Sequence, residues 1–110
     1  MKKGHLHISD KKGINSVGYP NIIRISAKRS SCIIHVEKGE NLLVPKSMAT
    51  VFKDIKSDKL FIQIHRSHIV NLEKVKHYHK ENRKVELVNG ELITVSKGFK
   101  PDFIKHYKRF

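Results

Sequence analysis

The sequence is poor in several residue types, and each shortage excludes a class of protein. Its one cysteine, Cys32, leaves no partner for an internal disulfide, and a position in an apolar run predicts a buried, unreactive thiol. Tryptophan is absent and aromatic residues make up 7% of the chain, which leaves few platforms for stacking single-stranded bases. The 6 glycines are scattered singly, so no glycine-rich phosphate-binding loop is present.

Long hydrophobic runs are also missing. No stretch approaches the roughly 18 apolar residues that a membrane-spanning helix needs. Lys2 and Lys3 are followed by no apolar segment, so no signal peptide is predicted. We therefore expect a cytoplasmic protein with no membrane partner. A length of 110 residues fits one domain, residues 1–110.

Acidic residues are scarce compared with basic ones. The 23 Lys and Arg against 10 Asp and Glu give a formal net charge of +13, which is the electrostatic footprint of a polyanion binder. No acid lies between Asp10 and Glu37, and Asp102 is the one acid after Leu92. These two acid-poor windows are candidates for a single basic face.

Short apolar runs of strand length recur along the chain, separated by turn-forming pairs such as Lys12-Gly13 and Asn89-Gly90. Regularly spaced runs of this kind predict an antiparallel, mainly β scaffold. The runs are His5–Ser9, Ile14–Tyr19, Ile22–Ala27, Cys32–Glu37, Asn41–Val44, Phe61–His65, Val75–His79, Lys84–Val88 and Glu91–Val95.

Two asparagines indicate specific turns. Asn89-Gly90 lies between alternating residues in VELVNGELITV and predicts a hairpin with a two-residue type I′ loop. Asn71 closes an apolar stretch and is expected to turn the chain by bonding its own backbone.

Two segments have helical rather than strand periodicity. Ser47 can cap a helix whose apolar residues end at Ile55 and recur at i, i+3, i+4 and i+7. Near the end of the chain, Phe99, Phe103 and Tyr107 recur every four residues and predict a second short helix.

Eight histidines raise the question of a metal-dependent enzyme. The pairs His5/His7 and His77/His79 would each lie on one face of a strand, but no neighbouring set of cysteine and carboxylate ligands completes a zinc site. The motif HExxH is also absent. We expect no metal and no other cofactor.

Ser67, beside His65 and His68, is the candidate nucleophile. Adjacent strand residues point to opposite faces, and no acid in this stretch can orient a base. No catalytic residues are therefore assigned, and the protein is not expected to be an enzyme.

Three basic turns, each following an apolar strand, are better candidates for function. The first contains Lys28, Arg29, Ser30 and Ser31, the second Arg66 and the third Lys97. An exposed Arg can make two hydrogen bonds to guanine in the major groove. The alternative for Arg66 is a phosphate contact or an ion pair with Glu73, neither of which reads sequence.

The segment FIQIHRSHIVN, residues 61–71, resembles the signature of the LytTR family of bacterial DNA-binding domains. His68 stands where that family often has an aromatic residue. Other family-like features follow in order at similar spacing: Pro20-Asn21-Ile22-Ile23, the Ser47–Ile55 helix, Val75, the Asn89-Gly90 hairpin and Val95-Ser96-Lys97.

The resemblance implies elongated antiparallel β-sheets with one short packed helix, and a cytoplasmic transcription regulator of the two-component response-regulator type. It also implies that loops enter successive major grooves of double-stranded DNA. In the family the base-facing residues lie in three loops, which by position are Lys28–Ser31, the turn with Arg66 and the turn with Lys97. Ser30 occupies the reading position of the first loop, and Lys28 and Arg29 flank it as phosphate contacts. Family members usually bind paired direct repeats, which makes a second copy on DNA an expected partner. Many carry an N-terminal receiver domain, so residues 1–110 are either free-standing or the C-terminal part of a longer regulator.

The main alternative is a module that binds nucleic acid or anionic surfaces without sequence preference. It would depend on charge alone, whether the surface is single-stranded nucleic acid, an anionic membrane or an acidic protein.

Overall fold

The strands of the chain form three antiparallel sheets in a computed structural model that describes residues 4–110. Lys2 and Lys3, and the expectation that rests on them, lie outside the described residues. The strands are β1 (His5–Asp10), β2 (Gly13–Gly18), β3 (Ile22–Lys28), β4 (Ser31–Val36), β5 (Leu42–Val44), β6 (Phe61–His65), β7 (His68–Asn71), β8 (Val75–His79), β9 (Lys84–Leu87) and β10 (Leu92–Thr94). The helices are α1 (Met48–Ile55) and α2 (Lys100–Arg109).

The largest sheet has five strands in the order β5-β4-β3-β7-β6. The β1–β2 hairpin forms a sheet of its own, and β10-β9-β8 form the third. The predicted mainly β fold is confirmed, with β7 added to the runs seen in the sequence. The molecule measures 45 × 32 × 25 Å, in keeping with the expected elongated shape.

The five-stranded sheet is apolar on both faces. Ile22 and Ile69 lie in a cluster with residues of α1 and the β1–β2 hairpin. Their neighbours Ile23 and Val70 lie in a second cluster with residues of the three-stranded sheet and α2. Because adjacent strand residues point to opposite faces, a strand covered on both sides reads as a continuous apolar run. The central sheet is therefore a rigid support with few exposed positions except at its ends.

Both predicted helices are present. The Ser47 hydroxyl accepts a hydrogen bond from the Thr50 N–H at 3.2 Å and caps α1, whose Val51 and Ile55 are buried. In α2, Phe103 is fully buried and stacks on Tyr107 with ring centroids 5.3 Å apart. The i, i+4 spacing of these aromatics is thus a core stripe that fastens α2 to the sheet.

The β9–β10 hairpin differs from the predicted two-residue loop. Leu92 pairs with Glu86, so the loop contains three residues, 88–90, and is closed by a hydrogen bond from the Leu87 N–H to the Glu91 carbonyl at 2.9 Å. A type I′ turn needs positive φ at both central residues, and here Gly90 has φ +90 while Asn89 has no positive φ. The Asn89 side chain instead accepts a hydrogen bond from the Glu91 N–H at 3.1 Å, which favours the wider loop.

Asn71 turns the chain as predicted, and its side chain also bonds a second segment of the chain. Its Oδ1 accepts a hydrogen bond from the Glu73 N–H at 2.9 Å. Its Nδ2 donates to the carbonyls of Tyr19 and Ile22, at 3.2 and 2.8 Å. This fully buried amide therefore joins the end of β7 to the start of β3.

Candidate nucleic-acid interface

The pairing of β3 with β7 brings the first two basic turns to the same end of the five-stranded sheet. Ser26 pairs with His68, and the ladder continues with a hydrogen bond from the Ala27 N–H to the Ser67 carbonyl at 2.9 Å. The next residues, Lys28 and Arg66, therefore lie at the same end of these two strands. The turn between β3 and β4 and the turn between β6 and β7 are therefore neighbours.

The third basic turn joins them through β6. The Ser96 N–H donates to the Ile64 carbonyl at 2.9 Å, which attaches the segment before α2 to the outer side of β6. Ser96, the residue before Lys97, is thereby held on β6 two positions before Arg66. We call the four cations Lys28, Arg29, Arg66 and Lys97 the basic row.

The length of the basic row follows from the spacing of strands. Neighbouring strands lie about 4.8 Å apart, so the backbones from the β3–β4 turn to Ser96 extend over roughly 17 Å. One turn of B-DNA rises about 34 Å. The backbones of the row therefore match about half a helical turn, and the long side chains at its two ends extend that reach.

The side chains of the basic row are exposed, and the part of the chain that the structure describes offers them no ion pair. Glu73, the alternative partner of Arg66, lies beyond the opposite end of β7. Several acids are paired elsewhere: Glu37 with Lys74, Glu86 with His79, and Glu91 with Arg24. Like charges on neighbouring strands repel each other, so a bound anion would stabilise this end of the sheet.

The β3–β4 turn displays its residues on a short loop. Lys28 pairs with Ser31, which leaves Arg29 and Ser30 as the two loop residues. Arg29 has φ +56, a left-handed conformation that is uncommon outside glycine. Arg29 and Ser30 are exposed and Ser31 is half-buried. All four predicted residues of this loop thus lie at the end of the sheet that carries the basic row.

A fourth basic turn reaches the same region and was not singled out from the sequence. In the β8–β9 loop, the Arg83 carbonyl accepts a hydrogen bond from the Val95 N–H at 2.8 Å, and the Arg83 Nε donates to the Val95 carbonyl at 3.3 Å. Val95 precedes Ser96 and Lys97. The sequence signal was a basic turn between two strand-like runs, Lys80–Arg83, of the same kind as the other three.

A histidine pair lies behind the Arg66 turn. The rings of His65 and His68 have centroids 5.1 Å apart. Burial, followed by the positive charges of Arg24 and then of His65 and His35, lowers the pKa of His68 from 6.5 to about 4. His68 is therefore neutral at physiological pH, and its Nδ1 has no hydrogen-bond partner among residues 4–110.

His35, which pairs with Arg24 towards the other end of β3, is also held neutral. It lies on β4 with its Nε2 2.8 Å from the Ser26 hydroxyl. Burial and Arg24 lower its pKa, which Glu91 only partly offsets. The positive charge at this end of the sheet thus comes from lysine and arginine, while these two half-buried imidazoles remain uncharged.

The other histidine pairs lie on strand faces as expected. His5 and His7 stack at 6.5 Å, and His77 and His79 meet edge to face at 4.5 Å. His79 bonds Glu86 at 2.9 Å, and this hydrogen bond is the main reason that the pKa of Glu86 is lowered. Within residues 4–110, no three His, Cys, Asp or Glu side chains are grouped so that they could hold a metal ion.

Two further observations concern environment. Among the described residues, no helix has the length and apolar character needed to cross a membrane. Cys32 is fully buried, as predicted, and burial raises the pKa of its thiol.

The fold matches a solved structure over nearly its whole length. The chain is similar to the LytTr DNA-binding domain of a putative methyl-accepting/DNA response regulator from Bacillus cereus, with a TM-score of 0.77 and 22% identity. The match covers 96% of this chain and 97% of the other. No curated protein matches the sequence.

The sequence itself matches the LytTr DNA-binding domain family over residues 12–108. The chain belongs to this family, a family of DNA-binding domains and not of catalysts. The expected resemblance is thereby confirmed, together with the fold it implied.

Proposed function

We propose that this protein is a transcription regulator that acts in the bacterial cytoplasm by binding a specific sequence of double-stranded DNA. The basic row would face the major groove, with Arg66 as the principal base-reading side chain and Ser30 at the reading position of the first loop. Lys28, Arg29 and Lys97 would hold the phosphates on either side. No catalytic step is part of this function.

One observation carries the proposal: basic turns that lie far apart in sequence stand side by side at one end of a rigid sheet. Ala27 is bound to Ser67, which brings the turns of Lys28 and Arg66 to the same end of the sheet, and Ser96, before Lys97, is bound to Ile64 on β6. A surface that concentrates unpaired positive charge in a line is suited to a phosphate backbone. Loops on a rigid scaffold can in turn keep side chains in a fixed register with base edges.

Affinity and specificity would come from different members of the row. Each phosphate that a cation neutralises adds about 0.9 to the slope of log K against log salt, so the three phosphate-binding cations together account for about 2.7. A two-point contact from Arg66 to guanine discriminates against other bases by about 1–3 kcal/mol. Arg66 is therefore where sequence preference should be sought.

The arrangement on DNA and the chain context are part of the same proposal. We infer that two copies bind paired direct repeats, because a row matching about half a helical turn leaves a single copy with a short site. Residues 1–110 would form one DNA-binding domain, either free-standing or joined to a receiver domain in a longer regulator.

Selection from a random duplex library at about physiological salt tests the function directly. Recovery of a short motif, repeated at a spacing near one or two helical turns, supports a sequence-reading regulator. The same selection with Arg66→Ala should yield a motif relaxed at one position. A motif unchanged by Arg66→Ala would remove the assigned role of Arg66.

A net charge of +13 also favours a second candidate, a binder of polyanions without sequence preference. That candidate gives no motif in the selection and binding that weakens steadily with salt. It also binds heparin and anionic vesicles as strongly as duplex DNA of matched charge. The regulator instead prefers its selected duplex to both.

A further inference from the structure

His65 makes an unusual local hydrogen bond in the turn that carries Arg66. Its ring nitrogen Nδ1 accepts from the Ser67 N–H at 3.0 Å, two residues further along the chain. A backbone N–H is always the donor, so Nδ1 holds a lone pair and the proton of the neutral ring lies on Nε2. The bond spans Arg66, and it constrains the backbone on both sides of that residue.

Within residues 4–110, the same i to i+2 bond occurs at four other turns, where an Asn or Asp supplies the acceptor. The distances are 2.8 Å for Asp10 to Lys12, 3.2 Å for Asp58 to Leu60, 2.9 Å for Asn71 to Glu73 and 3.1 Å for Asn89 to Glu91. Side chains of this kind stabilise turns by mimicking a backbone acceptor. At position 65 an imidazole nitrogen accepts the hydrogen bond that an Asn or Asp oxygen accepts at the other four turns.

Ser67 connects this bond to the neighbouring basic turn. Its N–H donates to His65, and its carbonyl accepts from the Ala27 N–H at 2.9 Å, one residue before Lys28. The Gln63 amide also donates to the His65 carbonyl at 3.1 Å, which holds the residue from the β6 side. The path His65–Ser67–Ala27 therefore links the orientation of Arg66 to the β3–β4 turn.

We propose that His65 is a positioning residue, whose Nδ1, by accepting the Ser67 N–H, orients Arg66 and ties its turn to the β3–β4 loop. This inference rests on the proposed function for its consequence on DNA, and on the hydrogen bond itself for its consequence in the free protein. A misoriented Arg66 keeps its charge. Loss of the bond should therefore reduce discrimination between bases while leaving the electrostatic part of binding in place.

Two substitutions of similar size separate this role from simple packing. In His65→Asn, Oδ1 occupies the place of Nδ1 and can accept the same N–H, as Asn71 and Asn89 do at their own turns. In His65→Gln, the amide lies one bond further out and corresponds to Nε2, so it does not reproduce the bond. The positioning role predicts rescue by Asn and none by Gln.

The first measurement is made without DNA, by NMR of the whole 110-residue chain. Long-range ¹⁵N spectra should show His65 protonated at Nε2 and not at Nδ1, and the Ser67 amide should be slow to exchange. Exchange should stay slow in His65→Asn and become at least tenfold faster in His65→Gln. A proton on Nδ1, or equal protection in both variants, would overturn the inference whether or not the protein reads DNA sequence.

The second measurement uses the duplex recovered in the library selection and a scrambled duplex. His65→Asn should keep the wild-type ratio of the two affinities, while His65→Gln should lower it by about tenfold with little change on the scrambled duplex. If both variants keep the ratio, the positioning role of His65 is wrong, although the proposed function as a sequence-reading regulator is still supported. If the wild type itself shows no preference for the selected duplex, the proposed regulator function is wrong. The NMR result alone then decides the role of His65.

Discussion

Arg24 and Glu91 form a two-point ion pair that joins the five-stranded sheet to the turn between β9 and β10. The Arg24 Nε and Nη2 donate to the two carboxylate oxygens at 3.0 and 2.8 Å. The side chain of Arg24 is 10% exposed and that of Glu91 36%. This pair is a polar bond between two sheets that also meet through apolar packing, and it holds an arginine that would be costly to bury alone.

We expect Glu91→Gln to lower the free energy of unfolding by about 1–2 kcal/mol at pH 7. The value lies between those of exposed and buried pairs, because Arg24 is buried while Glu91 is screened by solvent. Urea unfolding followed by circular dichroism measures it. Glu40→Gln is the matched control, since Glu40 is exposed and makes no ion pair among the described residues. An equal loss in both variants would contradict the role given to the pair.

The same pair predicts a pH dependence in acid. The hydrogen bond from Arg24 is the main cause that lowers the pKa of Glu91 from 4.5 to about 2. A carboxyl whose pKa is lower in the folded state stabilises the fold above its unfolded pKa, and that contribution is lost as pH falls. The stability difference between wild type and Glu91→Gln should therefore shrink as pH falls from about 4.5 to about 2. Urea midpoints measured at several pH values in this window provide the check.

His68→Phe should stabilise the protein at mildly acidic pH. The pKa of His68 is about 4 in the fold and 6.5 ordinarily, so the stabilising effect of the neutral ring is complete above pH 6.5 and lost as pH falls through about 4. Phe cannot be protonated and leaves no unpartnered Nδ1. We expect a gain of about 2 kcal/mol near pH 4, allowing for partial solvent screening.

The measurement for His68→Phe is the melting temperature between pH 4 and pH 7, which should vary less than in the wild type. His7→Phe, on the exposed side of β1, serves as the control and should keep the wild-type profile. A wild-type profile in His68→Phe would show that the burial of His68 does not govern the acid response.

Asn71→Ala should be among the most damaging single changes, at about 3 kcal/mol. It leaves the carbonyls of Tyr19 and Ile22 and the Glu73 N–H without a side-chain partner in a buried setting. Urea unfolding is again the measurement. Asn82→Ala removes an exposed amide in the β8–β9 loop and should change stability by less than about 0.5 kcal/mol.

Lys97→Ala should weaken DNA binding mainly through electrostatics. Removing one phosphate contact lowers the slope of log K against log salt by about 0.9 while leaving the recovered motif unchanged. Fluorescence anisotropy at several salt concentrations measures the slope. Lys38→Ala is the matched control. The backbone N–H of Lys38 donates to the Asn21 side chain at the opposite end of the five-stranded sheet, so its ammonium group lies far from the basic row. Equal slopes for the two variants would remove Lys97 from the interface.

Local patterns in the sequence predicted much of the secondary structure. The Ser47 cap and the apolar spacing up to Ile55 indicated α1, and the four-residue spacing of Phe99, Phe103 and Tyr107 indicated α2. These signals succeed because capping and helical periodicity involve residues within one or two turns of each other. The Asn89-Gly90 hairpin was also found, although its loop proved to be one residue longer than predicted.

The hairpin error has a physical cause that lies outside the turn. The Glu91 carboxylate accepts hydrogen bonds from Arg24 on another sheet and from the Asn89 amide, at 3.0 and 2.8 Å. A contact with a residue 67 positions away cannot be read from the turn sequence. Arg83 was overlooked for a similar reason, because its position beside Val95 depends on the packing of two separate loops.

By itself, the sequence determined that the protein is a small, basic, mainly β domain with basic turns between its strands. Alternation, turn residues and charge are properties of neighbouring residues, and they do not need the rest of the fold. Only the tertiary structure decided that the turns of Lys28 and Arg66 lie at the same end of the sheet and that Ser96, before Lys97, is bound to β6. The order of strands in a sheet and their register arise from long-range hydrogen bonding and from burial of both sheet faces, which no local pattern specifies.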